Sequence, residues 1–113
     1  MRNQVLQLAT QTTQGPVGTF AVIADAARPE SYVQWIRDDE HVVRIEVPIE
    51  DEARAELALS MGYHEDIPNY AQDAASDPEV VTDLVMNTID AVLGGIEEAE
   101  VTFQLGEEWT GEA

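Results

Sequence analysis

The chain has 113 residues, no cysteine and no lysine, and its 23 Asp and Glu stand against five Arg, for a formal charge of −18. That length predicts one domain with a real core, and the missing cysteine excludes disulfides, thiolate nucleophiles and thiolate metal sites. The charge argues against direct nucleic-acid or anionic-lipid binding and favours a partner with a basic surface.

Residues 4–13 mix Val5, Leu6 and Leu8 with Gln and Thr, a pattern open to either a first strand or a short N-terminal helix. Gln14-Gly15-Pro16 breaks it. Residues 18–24 are rich in strand formers and read as a strand, with 25–29 as the turn. Residues 32–37 read as the next strand and Asp38-Asp39-Glu40 as its turn. Residues 41–49 alternate cleanly: Val43, Ile45, Val47 and Ile49 on one face, Val42, Arg44, Glu46 and Pro48 on the other. Such alternation marks a half-buried antiparallel strand, and the acidic turn makes the two strands a hairpin. Pro48 cannot donate to a ladder and ends it.

Residues 51–61 switch to helical spacing, with Ala53, Leu57 and Met61 as the expected apolar stripe and Gly62 as the stop. Residues 63–75 read as a polar, irregular loop. Ser76-Asp77-Pro78-Glu79 starts a helix, capped either by Ser76 with Glu79 or by Asp77 with Pro78 at the first helical position. Val81, Leu84, Val85, Thr88, Ile89 and Val92 form its stripe, and Gly94-Gly95 ends it. Residues 98–105 alternate again, as a last strand that rejoins the sheet. The expected fold is α+β: an antiparallel sheet of four to five strands packed against two main helices. Residues 1–105 form a single domain, with 106–113 an acidic, mobile tail.

The charge is uneven. Residues 1–24 hold Arg2 and no acid, 25–54 hold nine acids and four Arg, and 55–113 hold fourteen acids and no base. Salt adaptation of a whole proteome is one reading of this excess; a surface built for a basic partner is the other. No signal peptide is visible, and the longest apolar stretch, Phe20-Ala21-Val22-Ile23-Ala24, is far short of a membrane span, so a soluble cytoplasmic protein is expected.

No reaction is written in the sequence. There is no phosphate loop and no dinucleotide fingerprint. Ser31 and Ser60 have no base in view, and His41 and His64 lack a second locally spaced histidine, so neither a metal nor another cofactor is expected. The acid runs 38–40 and 50–52 lack calcium-loop spacing. The aromatics Tyr32, Trp35, Tyr63 and Tyr70 are candidates for a binding face. Trp35 and Ile36 point to opposite faces, so one of the two faces away from the helices.

Tyr32-Val33-Gln34-Trp35, then a turn, then Val43-Arg44-Ile45-Glu46-Val47 resembles the central hairpin of YbjN-like and Tir-chaperone-like (CesT-type) domains, which are related to type III secretion chaperones. The likeness runs on through Leu57 to Gly62-Tyr63, through Ile67-Pro68-Asn69-Tyr70 and through residues 80–93, and so covers about residues 32–94. Tyr63 and Tyr70 stand where that family often has Trp, and its N-terminal helix is not evident in residues 1–24. The resemblance implies a non-enzymatic, protein-binding, chaperone-like α+β domain, commonly a homodimer, that holds a client segment against its sheet. The expected partner-binding face combines Tyr32, Gln34, Trp35, Ile36, Glu46 and Glu50. An acidic immunity or inhibitor protein, or a nucleic-acid (DNA) mimic that blocks a basic active site, is the alternative function.

Overall fold

The computed structural model describes residues 1–49 and 51–106. Glu50 and the expected acidic tail beyond Gly106 lie outside those residues. The chain runs α1 (Arg2–Gln14), β1 (Phe20–Asp25), β2 (Arg28–Arg37), β3 (Val42–Pro48), α2 (Glu52–Ser60), β4 (His64–Asp66), β5 (Asn69–Ala75), α3 (Pro78–Ala91) and β6 (Ala99–Gln104). The six strands form one sheet in the order β4-β5-β3-β2-β1-β6, and every neighbouring pair is antiparallel.

The α+β class is as expected, with one strand more than the upper count and a helix at the N-terminus. In α1 the residues Val5, Leu8, Ala9 and Thr12 fall at helical spacing and are buried. Thr10 and Thr12 donate to the carbonyls of Leu6 and Leu8, which absorbs hydroxyls that would otherwise compete with helical hydrogen bonding. α3 starts on Asp77, whose carboxylate accepts from the N–H groups of Glu79 and Val80, with Pro78 in the first turn. Of the two capping arrangements open in the sequence, the structure uses Asp77. The chain leaves the segment after α3 through Gly94 and Gly95, both at positive φ (72° and 96°), where a side chain would be strained.

The segment read as a loop, 63–75, is instead the β4–β5 hairpin. Asn69 to Ala75 pairs with Pro48 to Val42 along the whole length of β3. Its small, polar residues carry little strand propensity of their own. Backbone pairing with a strongly alternating neighbour supplies what the side chains lack.

α1 and α3 pack on each other and against the same face of the sheet. The core between them holds Val5, Ile23, Val33, Trp35, Ile45, Val85 and Ile89, among others. α2 sits at the β5 end of this layer, beside Ile49 and Tyr70, and buries only Ala58. The expected stripe of Ala53, Leu57 and Met61 is not its inner face: Ala53 and Leu57 are exposed and Met61 is half-buried. Two helices do carry the core, as expected, but they are α1 and α3.

Tyr63, just past α2, is buried, and its hydroxyl lies 2.7 Å from Thr88 Oγ1 on α3. Burial pushes its pKa up to about 12, against the smaller opposing effect of hydrogen bonds with Thr88 and Gln72. Asp25, at the end of β1, is a second buried polar anchor. Its carboxylate accepts from the N–H groups of Ala27 (3.0 Å), Glu97 (3.4 Å) and Glu98 (3.4 Å), and Arg28 stands 3.4 Å away. Burial works to raise its pKa, but these donors together hold it below the ordinary carboxylate value.

Candidate functional site

Register decides which side chains share the sheet face turned away from the helices. Phe20 stands opposite Ile36, and Ile36 opposite Arg44, which in turn faces Asp73. In the next row Val22 stands opposite Gln34, and Gln34 opposite Glu46. Ala24 and Tyr32 form a third row. On the flanking strand Gln104, Thr102 and Glu100 continue these three rows. Side chains on strands alternate, so the residues between them take the helix side: Ala21, Ile23, Val33, Trp35, Val43, Ile45 and Val47, all fully buried. The outer residues Phe20, Val22, Tyr32, Gln34, Ile36, Arg44 and Glu46 are each only half-buried.

Four of the expected partner-binding residues, Tyr32, Gln34, Ile36 and Glu46, therefore lie together on one open face. Trp35 does not, and it is corrected out of the set. It pairs with Ile45 on the helix side, is fully buried, and donates its indole N–H to Thr12 Oγ1 at 3.1 Å. Of the pair Trp35 and Ile36, it is Ile36 that turns outward. Glu50 falls outside the described residues. Tyr63 is buried, and Tyr70 shares its register with Val47 on the helix side, so neither aromatic belongs to the open face.

Glu46 is the hub of the polar part of this face. Its Oε1 accepts from Arg44 Nε at 2.8 Å, and its Oε2 accepts from Gln34 Nε2 at 2.8 Å and Asn69 Nδ2 at 3.3 Å. Partial burial works to raise the Glu46 pKa, yet the three donors and the charge of Arg44 hold it below the usual carboxylate value. Arg44 also reaches Asp66 through Nη2. Its single positive charge is thus engaged by two carboxylates, and Asp73 stands beside it in the ladder. The face keeps an acidic excess, with Glu100 at its other margin.

Between the apolar and polar parts lies a depression of about 240 Å³, lined by Phe20, Gln34, Trp35, Ile36, Arg44 and Glu46. A second hollow of about 300 Å³, lined by Ile49, Asp51, Glu52, Ala55 and Tyr70, separates α2 from the sheet. Sequence reasoning missed Phe20, Asp66 and Asn69. Strand alternation could have placed Phe20 on one face or the other, but only the long-range register brings it beside Ile36.

His41 and His64 are both exposed, and among the described residues no group of three or more His, Asp and Glu is placed to hold a metal ion. Among the described residues no helix is long and apolar enough to cross a membrane. No protein-family model matches the chain, and neither a curated protein nor a solved structure does.

Proposed function

We propose that this is a non-enzymatic protein-binding domain, similar in action to the secretion-chaperone-like domains that its central hairpin resembles, and that it captures a segment of a basic partner on the open sheet face. The observation that carries this reading is the face itself. Its helices lie on the opposite side, while Phe20, Tyr32 and Ile36 stand half-exposed among carboxylates. Apolar side chains set in an acidic field suit a protein surface that brings both apolar groups and positive charge. A cysteine-free chain of this kind fits a reducing cytoplasm, and association as a homodimer is compatible with the reading.

The test is capture of partners from lysate of the native host, at low and high salt, by the wild type and by the double variant Asp73→Lys with Glu100→Lys. These two acids border the face without belonging to the hydrogen-bond network of Glu46. Capture of one basic protein that weakens in the variant, while thermal unfolding stays unchanged, supports the proposal. Equal capture by both proteins removes the face from consideration. An inhibitor or nucleic-acid mimic would differ in its salt response, because screening at high ionic strength removes its main attraction.

A further inference from the structure

The hollow on the open face has a size and a lining that specify more than a general affinity for proteins. At about 240 Å³ it is smaller than the roughly 300–1,000 Å³ of small-molecule pockets. Its long wall is formed by Phe20 and Ile36, direct neighbours across β1 and β2. Its far end is Glu46, Arg44 and Gln34, where both carboxylate oxygens of Glu46 already accept from its two neighbours. Such a hollow offers little to a polar group and is shaped for one apolar side chain. Around it acids outnumber the single base, Arg44. Asp73 follows Arg44 in the same row, Asp66 is bound to Arg44, and Glu100 closes the margin on β6.

We infer that this hollow is an anchor site for a single aliphatic or aromatic side chain of an extended partner segment, with arginine or lysine at the positions two residues to either side. Two-residue spacing follows from an extended segment, whose alternate side chains face the same way. The flanking cations meet the marginal carboxylates while the central side chain displaces water from Phe20 and Ile36. The inference rests on the protein-binding reading above and adds the partner's sequence chemistry to it. A second copy of this chain is a poor occupant: its strands carry Asp25, Glu30, Glu46, Glu65, Asp66, Asp73 and Glu100 against Arg28, Arg37 and Arg44, and no apolar residue on them has arginine at both second neighbours.

The experiment uses isotope-labelled protein and a seven-residue extended peptide with a central leucine and arginine at both second neighbours, titrated while amide chemical shifts are followed. The expected result is movement of the Phe20, Gln34, Ile36, Arg44 and Glu46 amides. Affinity should fall about tenfold or more when leucine becomes alanine, and binding should be lost when both arginines become glutamate. The variant Ile36→Trp fills the hollow from its own wall. It should bind the leucine and alanine peptides alike, with its amide spectrum reporting that the fold is intact. Shifts on the face with no preference for leucine over alanine overturn the anchor site and leave the protein-binding face standing. No shift on the face with any peptide also overturns the anchor site, and the face is then judged by lysate capture alone.

Discussion

The contact between Trp35 and Thr12 ties α1 to the sheet, and Thr12→Val tests how much it contributes. Both side chains are fully buried, and the indole N–H has Thr12 Oγ1 as its acceptor. Valine keeps the shape of threonine but cannot accept, so the variant strands a buried donor. The second bond of Thr12, to the Leu8 carbonyl, matters less because that carbonyl belongs to the helical ladder. A stranded buried donor costs about 1–3 kcal/mol. For a domain near 100 residues that is a fall in Tm of roughly 5–15 °C. The assay is urea unfolding followed by far-ultraviolet circular dichroism, for Thr12→Val, Trp35→Phe and the double variant. In the Trp35→Phe background the same valine should cost less than about 0.5 kcal/mol, because the donor is gone, and the cycle should show coupling of about 1 kcal/mol or more. Equal cost in both backgrounds would refute the hydrogen bond as the source of the stabilisation.

Three further outcomes are expected. Tyr63 keeps its proton in the folded state to about pH 12 but loses it near pH 10 when unfolded, so stability holds below pH 10 and falls as pH rises from there. Alkaline denaturation should show that loss, about 2–3 kcal/mol when complete, and Tyr63→Phe should flatten it. Glu46 has the opposite sign. Its folded pKa lies below the ordinary 4.5, so the unfolded chain takes up the proton first, and the stabilisation present above that value is lost as pH falls through the folded one. Glu46→Gln should reduce the acid slope of the urea midpoint between pH 6 and pH 3. Asp77→Ala removes the acceptor for two N–H groups at the start of α3 and should cost about 1 kcal/mol by the same urea assay, with Asp77→Ser recovering most of it.

Local pattern was sufficient where it was strong. The strict alternation of β3 placed Val43, Ile45 and Val47 on one side and Arg44 and Glu46 on the other, which the register preserves. The helix start within residues 76–79 and the stripe of α3 were equally readable, while the choice of Asp77 over Ser76 as the cap rests on where the N–H groups of Glu79 and Val80 point. α1 was ambiguous because Val5, Leu6 and Leu8 satisfy parts of both periodicities, and it is burial of Ala9 and Thr12 against the sheet that selects the helix. β5 was illegible because its pairing partner, not its own side chains, makes it a strand. The open face was half legible: alternation around Gln34 and Glu46 pointed to it, while Trp35 needed the helix above it to reveal that its ring lies inward. Phe20 joins the face only through pairing between strands, and no local spacing encodes that.

The carboxylate of Asp25 has a consequence for the order in which the molecule is made. It binds the N–H groups that lead into β6, and β6 pairs with β1, so the first strand made is completed on its outer side by the last. Synthesis proceeds from the N-terminus, and nearly eighty residues separate these partners, a long closure that favours late formation. Throughout that interval β1 offers an unpaired edge, and Asp25 is a carboxylate without the Glu97 and Glu98 donors, two of its four donor residues. A chain that ends before residue 97 and has cleared the ribosome would therefore present a five-stranded sheet with an open, apolar border. A series of arrested chains ending at residues 95–106, each carried on a linker long enough to clear the exit tunnel, should show protease resistance of β1 rising sharply only once Gln104 is included.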